Sequence, residues 1–179
     1  MTQVARVYAQ ALYSLAKDEN CSEQVLNELT VLEESFSAEP DFQRLLSAAN
    51  IPLEERCGIL DNSFREKVHP YVLNFMKILT ERGYIRHFGD CIKAFRETFN
   101  ADNGILEVRA VTAIALNPEQ TQKLVEKLQK ITGKTVKLHN QVDETCIGGV
   151  RLDYDGRQLD DTVSHRLDSV RVLLKNTVL

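Results

Sequence analysis

The chain has 179 residues, of which 43% are hydrophobic and 27% charged, enough to close one large core or two small ones. Its 26 acidic and 22 basic side chains leave a formal net charge of -4, which gives nucleic acid no basic footprint and an anionic membrane surface no attraction. No stretch approaches the roughly 18 uninterrupted apolar residues of a spanning helix, and Cys21, Cys57, Cys91 and Cys146 lie far apart with no CxxC pair, which favours reduced, packed thiols over zinc or a disulfide framework.

The opening residues from Met1 to Arg6 start an amphipathic pattern and lack the regions of a signal peptide, so membrane association is expected to run through another protein. Val4, Tyr8, Ala11 and Leu15 are spaced four, three and four, the core-facing stripe of a first helix. Val25, Leu29, Leu32 and Phe36 repeat the spacing after Ser22, a candidate N-cap. Phe42, Leu45, Leu46 and Ala49 predict a short helix from near Pro40. Leu53, Cys57, Leu60 and Phe64 predict a fourth, with Pro52 at its first position. Val72, Phe75, Met76 and Leu79 mark a fifth between Pro70 and Gly83, and Phe88, Ile92, Phe95 and Phe99 a sixth that ends before Gly104.

Beyond Gly104 the apolar period changes from about 3.6 to 2. Leu106, Val108, Ala110, Thr112, Ile114 and Leu116 share one face of an extended run. Asn117-Pro118-Glu119-Gln120 starts a helix, with Asn117 as cap and Gln120 at the capping-box position; Leu124, Leu128 and Ile131 line its inner face and Gly133 stops it. Val136, Leu138 and Val142 predict a second strand, and Ile147, Val150, Leu152 and Tyr154 a third, interrupted by Gly148-Gly149. Asp155-Gly156 turns the chain into Arg157-Gln158-Leu159. Asp161 or Thr162 caps a last helix carrying Val163, Leu167, Val170 and Leu174. The fold class expected is mainly α: an N-terminal six-helix bundle over 1–104, then a small α/β domain over 105–179.

No motif assembles a reaction. Gly133-Lys134-Thr135 lacks the earlier glycine of a phosphate loop, because position 128 is Leu128, and it runs from helix to strand. Gly148-Gly149 lies in a strand pattern, where a glycine pair marks a bulge or close packing. Asp153, Asp155, Asp160 and Asp161 fail the EF-hand order, since Arg157 falls on a ligand position. His69, His87, His139 and His165 include no pair at zinc-helix spacing. Ser164 and His165, adjacent on a helix, point to different sides. Glu33-Glu34 and Glu54-Glu55 read as solvated faces. No catalytic residue, metal ligand, cofactor or small-molecule substrate is expected.

Two helices carry more apolar surface than one core stripe needs. Beside its first stripe the first helix runs a second, Ala5, Ala9, Leu12 and Ala16, of mainly small residues that would let another helix approach closely. On the fifth, Leu73 and Ile78 flank the stripe containing Met76. Either both helices bind a partner or both are central and buried all round.

The opening Val4-Ala5-Arg6-Val7-Tyr8-Ala9-Gln10-Ala11-Leu12, the stretch Asn74-Phe75-Met76-Lys77-Ile78-Leu79, and the tail Val142-Asp143, Ile147-Gly148-Gly149-Val150-Arg151-Leu152, Asp160-Asp161-Thr162-Val163 and Leu167 together resemble, in order and over the whole chain, the delta subunit of F-type ATP synthases and its mitochondrial counterpart, the oligomycin-sensitivity-conferring protein. Tyr84-Ile85, Asp161-Thr162 and Cys146 depart from the commoner family residues. The resemblance implies a non-catalytic stator subunit, peripheral on the cytoplasmic face of the cell membrane. Its helical domain would take the N-terminal helix of an alpha subunit between its first and fifth helices, and its C-terminal domain would hold the distal helices of the b subunit. Ala5, Tyr8, Ala9, Leu12, Leu73, Phe75, Met76 and Leu79 are then expected to line or support that groove. Ala9→Glu is expected to weaken binding with helical content intact. Gly148, Gly149 and Asp160 are expected to be structural determinants of the C-terminal domain. The alternative is a cytoplasmic helical adaptor for another amphipathic helix.

Overall fold

Helices follow the apolar periodicity as far as Asp102. A computed structural model describes residues 3–48, 50–154, 156–163 and 165, and the chain divides between Phe99 and Asn100 into two compact units. The first is built from α1 (Gln3–Asp18), α2 (Ser22–Ala38), α3 (Pro40–Leu46), α4 (Leu53–Phe64), α5 (Pro70–Glu81) and α6 (Phe88–Asp102), with a 3₁₀ turn at Ile85–His87. With α7 (Pro118–Thr132) in the second unit, the described residues hold seven α-helices. The fold is mainly helical, with a small four-stranded sheet toward the C-terminus.

The core of the first unit gathers α2, α5 and α6 around aromatic rings. Phe36 meets Phe88 with ring centroids 4.9 Å apart and Phe42 at 5.6 Å, and Tyr13 from α1 stands edge-on to Phe95 at 5.5 Å. Such pairs contribute about 0.5–1.5 kcal/mol each beyond the area they bury. Short helices need their ends satisfied, and side chains from elsewhere do it. Arg56 of α4 donates to the Leu46 carbonyl at the end of α3, at 3.0 Å, and to that of Ile51. Glu28 of α2 accepts from the His69 N–H at 2.6 Å, fixing the start of α5. Lys77 and Asp61 pair at 2.7 Å between α5 and α4. The caps differ in detail from the sequence reading. Ser22 is the first helical residue of α2 after Cys21, and Pro52 is the cap of α4 rather than its first residue.

The second unit is a four-stranded sheet, β1 (Ile105–Thr112), β2 (Thr135–Val142), β3 (Val150–Tyr154) and β4 (Arg157–Asp160), in the order β2-β1-β3-β4. β1 and β2 are parallel, joined through α7, and the other pairs are antiparallel. Asn117 and Gln120 form the capping box of α7, and Gly133 ends it. One sheet face is apolar, with Leu106, Val108, Ala110, Val136 and Leu152 forming the buried cluster. Three expectations are corrected. β1 ends at Thr112, leaving Ile114 and Leu116 outside it. Ile147 lies outside β3 with φ +63, displaced by the turn that the two following glycines make. Ile131 is 80% exposed, and α7 has no fully buried residue. Asp155 of the expected hairpin turn, and Leu167, Val170 and Leu174 of the expected last helix, lie outside the described residues.

Candidate functional site

The two apolar stripes of α1 exchange the roles read from the sequence. Ala5, Ala9, Leu12, Tyr13 and Ala16 are the buried face, with Ala9 and Ala16 at 0% exposure. Val4, Val7, Ala11 and Leu15 face solvent, with Val7 at 62%, Leu15 at 42% and Val4 at 37% exposure. The reason is steric. Small residues let helix backbones approach closely, and here that approach is made by the core of the unit itself. The expectation that Val4, Ala11 and Leu15 face inward is therefore corrected, and the burial of Ala9 makes loss of stability the expected effect of Ala9→Glu.

α5 lies beside α1 and runs antiparallel to it. Tyr8 packs on Tyr84, just past the end of α5, with ring centroids 6.1 Å apart. At the other end, Tyr71 of α5 meets Glu19 and Cys21, just past the end of α1. Burial of the Tyr71 ring, then the Glu19 charge, Cys21 and a hydrogen bond to Glu19, raise its phenol above the ordinary 10.0. On α5, Leu73, Phe75, Met76 and Leu79 are buried, whereas Ile78 is 43% exposed. Thus Ala5, Ala9, Leu12, Leu73, Phe75, Met76 and Leu79 belong to the buried core of the unit, and Tyr8 is half-buried against it. The apolar atoms that reach solvent belong to Val4, Val7, Ala11, Leu15 and Ile78. Val7 had no place in either stripe of the sequence reading. The signal that could have found it is an apolar residue left over once the alanine-rich stripe is assigned to the core.

In the second unit the structure draws Gly148, Gly149 and Asp160 together at one junction. The Val163 N–H donates to the Gly148 carbonyl at 3.0 Å and the Asp161 N–H to that of Val150 at 3.1 Å. Gly149 has φ +83, and a Cβ there would collide with the Asp161 carbonyl oxygen. Asp160 accepts from both the hydroxyl and the N–H of Thr162, at 2.7 and 3.0 Å, and the Thr162 hydroxyl accepts from the His165 N–H at 3.2 Å. The Thr162 hydroxyl and then its N–H hold the Asp160 carboxyl below its ordinary 3.8, with smaller help from His165 and Arg151 against the opposing effect of burial. A carboxylate whose folded pKa is depressed contributes stability above its unfolded value and loses it as pH falls through the folded one. Wild type is therefore expected to exceed Asp160→Asn in stability at pH 7 by about 1 kcal/mol. Thermal melts from neutral pH downward should show that gap closing as the pH falls below the ordinary carboxyl value.

Asp153 pairs with Arg109 at 3.3 Å. Burial, and then the Asp90 charge, push the Cys91 thiol up to about 11, which keeps it protonated and unreactive. Among the described residues no group of three or more His, Cys, Asp or Glu is placed to hold a metal ion, and no helix is long and apolar enough to cross a membrane.

A sequence profile of the family described as ATP synthase delta (OSCP) subunit matches residues 4–174. The ATP synthase subunit delta of Alkaliphilus metalliredigens is 33% identical over 168 residues, covering 94% of this chain and 93% of that protein. The subunit delta of Lactobacillus delbrueckii subsp. bulgaricus is 32% identical over 176 residues, covering 96% of each. Among solved structures, a chain of the Toxoplasma gondii mitochondrial ATP synthase hexamer shares the fold with a TM-score of 0.75 at 19% identity, over 97% of this chain and 98% of that one.

Proposed function

The chain belongs to the ATP synthase delta (OSCP) subunit family and is a delta-type component of the F-type peripheral stalk, and on that basis we propose how its two units do the work of a stator. The helical unit takes the N-terminal helix of an alpha subunit on the apolar strip of α1 and α5. The α/β unit holds the distal helices of the b subunit. The chain thereby sits peripherally at the cytoplasmic face of the cell membrane and contributes binding energy rather than catalysis. Its mechanical task is to keep the catalytic head from turning with the rotor, so that torque reaches the nucleotide sites.

The observation that carries this reading is the face of α1 that the core leaves unused, with Val7 at 62%, Leu15 at 42% and Val4 at 37% exposure; on α5, Ile78 is 43% exposed. An amphipathic helix laid along that strip would bury aliphatic anchors worth about 1.5–3 kcal/mol each.

The test is calorimetric titration of the full chain with a synthetic peptide of the alpha-subunit N-terminus. One-to-one binding is expected. Leu15→Glu is expected to weaken it about tenfold or more, the equivalent of one lost anchor, with an unchanged urea midpoint because Leu15 is not part of the core. Absence of binding by a folded sample would favour an adaptor for a different amphipathic helix, to be sought by co-purification.

A further inference from the structure

Aliphatic side chains reach solvent together at the end of the sheet where β1 and β2 finish. Thr112, the last residue of β1, pairs with Val142 on one side and Val150 on the other. The Asp143 N–H donates to the Thr112 carbonyl at 2.8 Å, so the connection from β2 to β3 turns at the end of β1. Ile114 follows two residues past that end. Four aliphatics around this point are exposed: Ile114 at 78%, Ile147 at 65%, and Val142 and Val163 less so. Val163 is held there because its N–H donates to the Gly148 carbonyl. Ile147 has a φ of +63 and a ψ of -41, and the Gly148 N–H donates across it to the Cys146 carbonyl at 2.7 Å. It is thus the centre of a γ-turn of a strained kind that β-branched residues rarely adopt. Neither packing nor backbone preference accounts for an isoleucine at that position, and a contact with a partner does.

We propose that this end of the second unit is a docking surface for an amphipathic helix whose aliphatic side chains are flanked by lysine or arginine. The inference rests on the stator reading only for the identity of that helix, the distal segment of the b subunit. Two observations choose the partner's chemistry. The main chain here is already engaged, since the N–H groups of Asp143, Cys146, Ile147, Gly148 and Val163 all donate within the chain. An added strand would find few groups to pair with, whereas a helix satisfies its own backbone and brings side chains alone. The rim, secondly, is acidic. Residues 110–117 and 140–149 contain Asp143 and Glu144 and no lysine or arginine, and Asp161 stands two residues before Val163. The Thr145 hydroxyl and then its N–H hold the Asp143 carboxyl below its ordinary 3.8, with smaller help from Arg151, so it is charged at neutral pH. Such a rim attracts a basic partner and repels nucleic acid and anionic lipid.

Calorimetric titration of the full chain with two synthetic helices tests this. One is the distal segment of b from the same organism, and the other a designed helix of leucines flanked by lysines. Ile114→Glu is expected to weaken binding of the b segment at least tenfold. Ile147→Asn should do the same while the β1 amides exchange as slowly as in wild type or more slowly, because asparagine tolerates a positive φ. Ile131→Glu alters a comparably exposed aliphatic in the last turn of α7 and should leave binding unchanged. The designed helix should respond to the three variants in the same way, and bind at least tenfold more weakly once glutamates replace its lysines. If wild type binds the b segment and neither Ile114→Glu nor Ile147→Asn weakens it, this surface is overturned and the stator reading stands. If the designed helix binds as described and the b segment does not, the surface stands and the stator reading loses its partner. Binding of neither helix, or equal binding of the designed helix with either charge, would overturn the proposal.

Discussion

Ala9→Glu is expected to destabilise the helical unit by about 3–5 kcal/mol, the cost of an uncompensated buried charge. Ala9 has 0% exposure on the face of α1 that also buries Ala5, Leu12, Tyr13 and Ala16. A carboxylate at that position would be cut off from water, and its added volume would separate α1 from the core. Domains of this size have about 5–15 kcal/mol in total, so the loss would show in urea titration as a large fall in midpoint and, at the upper end, as a chain with no cooperative transition. Leu15→Glu is the control on the same helix, because at 42% exposure its cost to stability should stay within about 0.5 kcal/mol. If Ala9→Glu melts like wild type, α1 is not packed by its alanine-rich face and the groove would have to be moved to it. Any binding experiment needs this control, since lost binding in Ala9→Glu would report lost folding.

Gly149→Ala is expected to cost about 3 kcal/mol or more in the second unit. Two separate penalties apply there. A φ of +83 is unfavourable for any side chain, by about 1–2 kcal/mol. The new methyl would also press on the Asp161 carbonyl, which is main chain and can yield only by moving the strand-to-helix junction. That movement would pull on the bonds from Asp161 to Val150 and from Val163 to Gly148. Gly156→Ala separates the two penalties, since Gly156 has φ +71 but open space where its Cβ would stand. It should cost only about 1 kcal/mol. Hydrogen exchange of the β1 amides would measure both. Equal losses would mean that the close approach at Gly149 contributes nothing to holding the junction.

Features that depend on near neighbours were legible in the order of residues. The apolar spacing of Val25, Leu29, Leu32 and Phe36 settles both that α2 is helical and which face is buried, because that helix has one apolar stripe. Asn117-Pro118-Glu119-Gln120 carries the start of α7 in four residues, and the change to period 2 after Gly104 announces β1. Family membership was legible for the same reason, as a run of short local patterns in a fixed order. Packing chose among the options that local patterns leave degenerate. α1 has two apolar stripes about equal in number, and only close packing in the bundle selects Ala9 over Leu15 for the interior. The parallel pairing of β1 with β2, and the placing of β1 between β2 and β3, depend on contacts distant in sequence. Ile147 fits a strand by its chemistry, yet the main-chain approach of Gly149 to Asp161 turns the chain there and leaves Ile147 outside at 65% exposure. Residue type records the preference for burial; which of several eligible faces is buried is set by the shape of what lies opposite.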